Sequence, residues 1–253
     1  MMSPALSAVI ITRDEAKNIE DCLRSVRFCS ERVVVDSGSR DHTVRLARAA
    51  GAVVCERVFD HFAAQKNFGI QKASGDWVLL LDADERVTEA LKEEILETLA
   101  APSADGYAFP RQNRIFGRWM KHGANTGDVQ LRLVKRSEAR FYGRVHERVR
   151  LKGKIKKMKN PLLHYTTDTI SDYMKKLNAY TDLEAETLAE RAPVETLLGM
   201  KQKPLLRLLQ LIFLKQAFLD GLEGFLFAVL SAYYDFVSHA KHWERAQKGE
   251  GAS

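Results

Sequence analysis

Short apolar runs alternate with polar turns and amphipathic stretches over the N-terminal part of the chain. The runs are rich in β-branched residues, as expected of strands that are buried on both faces of a parallel sheet. Four strands are predicted in this way, at residues 6–12, 32–36, 53–58 and 77–81. Between the runs, apolar residues recur every three or four positions, which predicts helices.

The predicted helices begin and end at residues that suit those positions. Asp41 is a candidate N-cap for a helix that ends near Ala50, and Gly51 follows it. Another helix is predicted at 63–74, and Thr88 is the candidate N-cap of the next. The residues expected on buried helix faces are Ile19, Cys22, Leu23, Val26, Leu91, Ile95, Leu96 and Leu99. This alternation of strands and helices predicts an α/β fold with a mostly parallel sheet.

Three polar clusters follow predicted strands, at residues 12–15, 36–39 and 82–85. In open sheets of this type, ligands bind beyond the carboxyl ends of the strands. The coincidence of three clusters at those ends therefore indicates a functional site at this edge of the sheet.

The last cluster contains two carboxylates, Asp82 and Asp84, separated by Ala83. Residues i and i+2 of an extended segment point to the same side, so both carboxylates can face one cation. Mg²⁺ and Mn²⁺ prefer hard oxygen ligands and leave coordination positions for substrate phosphates. Such an ion would serve as a Lewis acid on a departing diphosphate. The alternative is that the two acids only cap the turn into the next helix.

The second half of the chain has a different texture. Short strands and loops follow Gly106, and residues 132–159 contain twelve Lys and Arg against two Glu. This basic stretch has no RNA- or DNA-binding signature and few aromatic residues, so we expect a surface that faces phosphates and lipid rather than nucleic acid. From about Thr169 the chain is predicted to be helical. The predicted domains are a catalytic domain at 1–168 and a helical C-terminal region at 169–253.

The helical region contains an apolar segment that Pro204 opens. A bilayer-spanning helix needs about 20 mostly apolar residues, and the longest clean stretch, at 225–234, is half as long. Extending it would bury Asp220 and Glu223, each at a cost of roughly 2.5–3.5 kcal/mol near the bilayer centre. We therefore expect no transmembrane helix. Two interpretations stay open: an appendage that packs on the catalytic domain, or an in-plane helix at a membrane surface.

The composition of the chain indicates the class of protein and the cellular compartment in which it is expected. The chain has 253 residues, 45% of them hydrophobic and 28% charged, with a formal net charge of +6, which suits a folded domain and anionic partners. Its three cysteines form no CxxC pair, so neither a disulfide framework nor a zinc cluster is expected. We expect a reduced, cytoplasmic environment and no signal peptide.

Three segments together resemble the inverting family 2 glycosyltransferases of the GT-A fold. They are AVIITRDEAKNIEDCLRSV, ERVVVDSGSRDHTVRLA and AAQKNFGIQKASGDWVLLLDADE, in the family's order and over about residues 6–90. The resemblance implies a Rossmann-like sheet with a helical C-terminal appendage, and a transferase that uses a nucleotide diphosphate sugar. Later segments, YGRVHERV, LLHYT and FLDGLEGF, are similar to lipopolysaccharide-core transferases that add glucose to a heptose.

The resemblance also implies roles for individual residues. The expected nucleotide-sugar site comprises Thr12, Arg13, Glu15, Asp36, Lys66, Asn67, Asp82 and Arg132. The expected ligands of Mg²⁺ or Mn²⁺ are Asp82, Asp84 and His164. Simpler roles stay open for Asp36 as a turn former, for Lys66 as a solvated residue, for Asn67 as a local cap and for His164 as a core residue. His164 could also contact the diphosphate instead of the metal. Gln130 is a further candidate for contact with donor phosphates or acceptor.

An inverting transfer needs a base that removes the proton of the acceptor hydroxyl. The candidate is Glu147, and His146 is the alternative. Glu147 could instead only pair with Arg144 or Arg148. Trp119 and His122, in GRWMKHG, are candidates for stacking on and binding a sugar, and a core position stays open for Trp119.

The expected reaction is the transfer of glucose from UDP-glucose to a sugar hydroxyl of a lipopolysaccharide-core or other cell-envelope glycan. The expected place is the cytoplasmic face of the inner membrane, with a glycolipid or oligosaccharide acceptor. One alternative is a non-catalytic module that binds sugar nucleotides or glycans. A nucleotidyltransferase of related fold is the other, although residues 12–18 lack the glycine that its phosphate loop needs.

Overall fold

The computed structural model describes residues 5–143, 148–151, 153–191 and 197–250. They form two compact units. The first comprises Met1–Gln112 and Gly127–His164, and the second comprises Asn113–Thr126 and Tyr165–Ser253. The second unit therefore takes in the segment 113–126 as well as the C-terminal helices, which the predicted boundary at residue 168 does not include. Whether the units are separate domains stays a prediction.

Twelve strands are present in the described part of the chain. They are β1 (Leu6–Thr12), β2 (Glu31–Asp36), β3 (Val53–Glu56), β4 (Trp77–Asp82), β5 (Glu85–Arg86), β6 (Gly106–Ile115), β7 (Arg118–Trp119), β8 (Val129–Lys135), β9 (Ala139–Tyr142), β10 (Arg148–Leu151), β11 (Ile155–Lys157) and β12 (Leu162–Thr167). The α-helices are α1 (Ile19–Ser25), α2 (Thr43–Ala49), α3 (Phe62–Lys72), α4 (Glu89–Ala100), α5 (Ile170–Arg191), α6 (Leu197–Leu209) and α7 (Gly221–Glu250).

The central sheet of the first unit is mixed. Strands β3, β2, β1 and β4 lie side by side in parallel, and β8 and β6 then continue the sheet in antiparallel pairing. Strand β12 pairs antiparallel with β5, and β9 forms a separate antiparallel pair with β10. The parallel part contains the four predicted strands, although β3 ends at Glu56 rather than at residue 58. The α/β prediction is confirmed. Register places Thr12 opposite Asp36, and Ile11 opposite Asp82, so the predicted polar clusters meet at one edge.

One face of this sheet packs on α1 and α4. All seven residues of β1 are buried, because helices cover the strand from both sides. Helix α4 begins as predicted, since Thr88 Oγ1 accepts a hydrogen bond from the Leu91 amide at 3.1 Å. Its buried residues include Ile95 and Leu99, but the prediction that Leu96 is buried is wrong, because 43% of Leu96 is exposed. The other predicted members of these helix faces are buried.

Helix α3 packs on the opposite face of the sheet. A Cβ atom at Gly69 would lie 2.3 Å from Val9 Cγ1, so only glycine allows the helix to approach β1 this closely. This close approach fixes Lys66 and Asn67, one helical turn earlier, relative to the sheet. Two of the predicted site residues, Lys66 and Asn67, therefore lie on helix α3.

The second unit is built mainly from α5, α6 and α7. A π-helical turn (Gln210–Leu214) and a 3₁₀ turn (Ala217–Asp220) connect α6 to α7. Leu211, Ala217 and Ala228 form the buried cluster of this connection. Pro204, the first residue of the apolar segment noted in the sequence, lies inside α6. In the described part of the chain one helical region, Ala217–Lys248, has the length and apolar composition of a membrane span, and 33% of its most apolar window is buried.

Candidate active site

The loop after β2 is organised by Asp36. This residue is 1% exposed, and its Oδ2 accepts hydrogen bonds from the amides of Gly38 and Ser39 at 3.0 and 2.9 Å. Its Oδ1 accepts from Ser39 Oγ at 2.5 Å. Gly38 has φ +81°, a left-handed conformation that favours glycine. Asp36 is thus a turn former in this structure, and its predicted contact with base or ribose stays a prediction.

The loop after β1 lies against the loop after β2. The amide of Asp14 donates to Ser39 Oγ at 2.8 Å, and the amide of Glu15 donates to Thr43 Oγ1 at 2.8 Å. Glu15 Oε2 accepts from Asn18 Nδ2, which fixes its side chain, whereas the neighbouring Arg13 is exposed. The two loops are therefore held together, and Arg13 lies at the surface. The nucleotide pocket between them stays a prediction.

Thr12 is the last residue of β1 and is 5% exposed. Its Oγ1 is buried, and no described residue hydrogen-bonds to it. A buried hydroxyl without a partner costs free energy, so this atom is suited to accept or donate a bond to a ligand at the strand tip.

An arginine side chain lies beside Asp82, the last residue of β4 and the first of the acidic pair. Asp82 Oδ2 lies 2.5 Å from Arg132 Nη2, and the same nitrogen lies 2.5 Å from Glu85 Oε1. The second oxygen of Glu85, Oε2, accepts the backbone N–H of Asp82 at 3.0 Å. The guanidinium of Arg132 thus bridges two carboxylates of the chain, and its predicted contact with donor phosphates or acceptor stays a prediction. The side chain of Asp82 keeps 31% of its surface exposed.

A second arginine extends this network. Arg111 binds Asp128 through two parallel bonds, Nε to Oδ2 at 3.0 Å and Nη2 to Oδ1 at 3.1 Å. Its Nη1 also reaches Glu85 Oε1 at 3.4 Å. Gln130 donates to Asp128 Oδ1 at 3.0 Å, so this candidate for donor or acceptor contact is engaged within the network.

The charge state of Asp82 follows from these neighbours. Burial by itself would raise the pKa of this carboxyl, but the positive charges of Arg132, Lys66 and Arg111 outweigh burial and hold the pKa well below its usual range. Asp82 is therefore ionised at any pH at which the protein would work. The Asp82 carboxylate likewise raises the pKa of Arg132 against the effect of burial.

Asp84 and His164 lie together on adjoining segments. Strand β12 pairs His164 with Glu85, which brings His164 Nε2 to 3.5 Å from Asp84 Oδ1. Asp84 is 8% exposed. The predicted metal ligands Asp82, Asp84 and His164 thus come from the same edge of the sheet.

Two carboxylates and an imidazole have the donor chemistry that Mn²⁺ or Mg²⁺ accepts. Among the described residues no three His, Cys, Asp or Glu side chains are already arranged around a metal position. The three-residue ligand set stays a prediction, and Asp82 would bind a metal while it also contacts Arg132.

Lys66 and Asn67 hold strand β9. Asn67 Nδ2 donates to the carbonyl of Phe141 at 2.7 Å, and the amide of Phe141 donates to Asn67 Oδ1 at 2.9 Å. Lys66 is 4% exposed, and its Nζ lies 5.6 Å from the centre of the Phe141 ring. In this structure the Nδ2 and Oδ1 atoms of Asn67 both bind the backbone of β9. The predicted contact of Asn67 with the donor stays a prediction.

The catalytic base candidates, His146 and Glu147, lie outside the described residues. Trp119 and His122 belong to the second unit, where Trp119 meets the Tyr165 ring edge-on at 5.2 Å and the amide of His122 donates to Asp220 Oδ2 at 2.8 Å. Their roles in sugar binding stay predictions.

The sequence did not reveal the roles of Glu85 and Arg111. Glu85 directly follows the acidic pair, and its position after Asp84 was the available signal. Its importance shows only in the folded chain, where it is 0% exposed.

The sequence of the chain is similar to those of known glycosyltransferases. The chain is 30% identical to the lipopolysaccharide core biosynthesis glycosyltransferase LpsC of Rhizobium meliloti, over 95% of this chain and 92% of LpsC. It is 27% identical to the uncharacterized glycosyltransferase RT0209 of Rickettsia typhi, over 96% of this chain and 88% of that protein.

The fold is that of solved GT-A transferases. The structure of S. aureus TarS 1-349 in complex with UDP-GlcNAc superimposes with a TM-score of 0.50 at 11% identity, over 97% of this chain and 92% of that one. The profile of glycosyl transferase family 2 matches residues 7–178, which is most of the chain. The chain therefore belongs to glycosyl transferase family 2.

Proposed function

We propose that this protein transfers a sugar, with inversion, from a nucleotide diphosphate to a hydroxyl group of a cell-envelope glycan. The observation that carries the proposal is the contact between His164 and Asp84, which lies two residues beyond Asp82 at the carboxyl end of β4. Asp82 is level with the ends of β1 and β2. That edge is where open α/β sheets bind their ligands.

The donor is proposed to bind along the loops after β1 and β2. The buried Thr12 hydroxyl and the surface guanidinium of Arg13 are available to it, and Glu15 and Asp36 fix the loops that would surround it. Lys66 and Arg132 place positive charge near Asp82, where a diphosphate would be attracted. UDP-glucose is the proposed donor, on the resemblance of the sequence to lipopolysaccharide-core glucosyltransferases.

Asp82, Asp84 and His164 are proposed to hold Mg²⁺ or Mn²⁺. A divalent ion there supplies Lewis-acid stabilisation of the leaving diphosphate. The chain's own contribution is to keep the Asp82 carboxylate ionised, through Arg132, and in a fixed place, through the bond of its backbone amide to Glu85.

Glu147 is proposed as the base that accepts the proton of the acceptor hydroxyl, with His146 as the alternative. A carboxylate performs this step if it lies within hydrogen-bond reach of the attacking hydroxyl. The proposed acceptor is a sugar of a lipid-linked, lipopolysaccharide-core type glycan, in keeping with the similarity to LpsC. The proposed site of action is the cytoplasmic face of the inner membrane.

The test compares two Asp→Asn variants, one at the residue before β4 and one at the second residue after it. Purified protein is incubated with a panel of nucleotide sugars and Mn²⁺ or Mg²⁺, and release of the nucleoside diphosphate is measured. We expect Asp84→Asn to lower turnover of the preferred donor by at least about a hundredfold, because a metal ligand is lost.

The matched control is Asp76→Asn, since Asp76 is exposed and precedes the same strand. It is expected to turn over like the wild-type protein. Wild-type activity of Asp84→Asn, or no turnover of any nucleotide sugar by the wild-type protein, would contradict the proposal.

A further inference from the structure

The connection between α6 and α7 exposes large apolar side chains. Phe213, Leu214 and Leu222 are 68%, 79% and 68% exposed. We call residues 209–222 the apolar turn, and its exposed apolar members are Leu209, Phe213, Leu214, Phe218, Leu219 and Leu222. Soluble proteins rarely leave such groups together at the surface unless the surface binds something.

The apolar turn is held in place by buried polar contacts within the second unit. Asp220 is 2% exposed and accepts the backbone N–H groups of Lys121 and His122 at 2.9 and 2.8 Å. The carbonyl of Lys215 accepts the amide of Gly123 at 2.8 Å. Because the backbone is fixed from inside, the outward direction of its apolar side chains is a built feature of the fold.

The apolar turn also has an inner face that packs within the second unit. Leu211 and Ala217 are buried against Ala228 of α7. A Cβ atom at Gly224 would lie 2.0 Å from the carbonyl oxygen of Ala217, so the turn and α7 are in close contact. The exposed side chains therefore form a second, outer face, which the unit does not use for its own core.

Charge indicates the kind of surface that the outer face would meet. Residues 201–219 contain four basic residues and no acidic one. Lys203 and Arg207 are exposed on α6, which leads into the apolar turn, and Asp235 of α7 is within electrostatic range of both. Of the next acids, Asp220 is buried and Glu223 lies 3.4 Å from Arg118. Apolar side chains flanked by basic ones complement a bilayer that carries anionic headgroups.

The contacts of α7 favour contact in the plane of the membrane over insertion across it. Lys241 Nζ lies 2.8 Å from Asp182 Oδ1, and Arg245 Nη1 lies 3.3 Å from Glu186 Oε1, both on α5. Moving the region Ala217–Lys248 across a bilayer would separate these pairs or carry them into hydrocarbon, which is costly. Shallow insertion of the apolar turn leaves them intact.

We propose that the apolar turn inserts into the interfacial layer of an anionic lipid bilayer, with Lys203 and Arg207 at the level of the headgroup phosphates. This proposal deepens the proposed function, in which the acceptor is carried by a lipid. It identifies the membrane-binding segment as a turn between two helices rather than the long helix α7.

The experiment measures flotation of the full chain with phosphatidylglycerol–phosphatidylcholine vesicles and with pure phosphatidylcholine vesicles. We expect binding to the anionic vesicles at low salt, and a loss of at least tenfold in Phe213→Ser/Leu214→Ser. The control is Val58→Ser, because Val58 is 88% exposed but lies in the first unit. Lys203→Glu/Arg207→Glu should weaken binding to anionic vesicles, whereas Arg45→Glu/Arg48→Glu on α2 should not.

Two results would overturn the proposal. One is equal flotation of wild-type and Phe213→Ser/Leu214→Ser protein, or no flotation of either. The other is a concentration-dependent dimer, seen by light scattering, that the double substitution abolishes while vesicle binding is absent, because the outer face would then bind a second copy. Donor turnover measured on the same samples separates this question from the proposed function, since turnover without flotation would count against the apolar turn alone.

Discussion

Glu85 is a fully buried carboxylate directly behind the acidic pair. It accepts the backbone amide of Asp82 with one oxygen and the guanidinium groups of Arg132 and Arg111 with the other. A charge removed from water is tolerated only when it is paired and hydrogen-bonded. Glu85 therefore positions Asp82 without needing to touch a substrate.

Replacing Glu85 by Gln tests this positioning role. The amide keeps the shape of the side chain but removes the charge that compensates Arg132, and a broken buried pair costs about 3 kcal/mol. We expect the free energy of unfolding, measured by urea denaturation, to fall by about that amount. Glu93→Gln on the exposed face of α4 is the control and should leave stability unchanged. A Glu85→Gln protein as stable as the wild type would show that the network does not hold the site.

The sequence predicts the role of some single residues but not the contacts that they make in the folded chain. Asp82 and Asp84 could be identified because polar residues directly follow an apolar strand. The extended backbone expected between them is not found, because Ala83 and Asp84 form a turn after β4. The partner of Asp82 could not be identified, because Arg132 lies fifty positions away and reaches it only through the pairing of β4 with β8. Asp36 was assigned to the ligand, yet its own loop uses both of its oxygens.

At the scale of elements, Asn67 joins α3 to β9. Its side chain satisfies both backbone polar groups of Phe141, the residue next to the end of that strand. We expect Asn67→Ala to lower the free energy of unfolding by about 1–3 kcal/mol, because buried backbone groups lose their partners. Hydrogen exchange of the Phe141 amide should become faster.

The control for this substitution is Gln71→Ala, one turn further along the exposed face of α3. It should leave both stability and the exchange of the Phe141 amide unchanged. Unchanged protection of that amide in Asn67→Ala would contradict the assigned bond.

Element boundaries were predicted well where a local signal was strong. Strand β1 has the predicted limits, and Thr88 caps α4 as expected. The prediction was wrong for Leu96, since apolar periodicity does not say how wide a face the sheet covers.

At the scale of the whole molecule, the composition of the second unit was not predicted. The segment 113–126 follows and precedes strands of the first unit, but its backbone amides bind Asp220, almost a hundred positions later. A contact of that range depends on tertiary structure and leaves no local pattern. The family fold could be predicted because its motifs occur in order along one stretch of sequence.

The free energy of unfolding of the whole chain should increase when UDP, the nucleotide product of the proposed donor, and a divalent metal bind together. If Asp82, Asp84 and His164 bind a metal that UDP also contacts, UDP and Mn²⁺ together should stabilise the fold more than the sum of their separate effects. At a ligand concentration of a hundred times Kd, the gain in unfolding free energy is about 2.7 kcal/mol. Thermal unfolding with UDP, with Mn²⁺ and with both measures this, and Asp84→Asn should lose the joint gain while Asp76→Asn keeps it. Equal stabilisation by UDP in the presence of EDTA would contradict a shared metal, because the nucleotide would then bind through protein groups such as Lys66 alone.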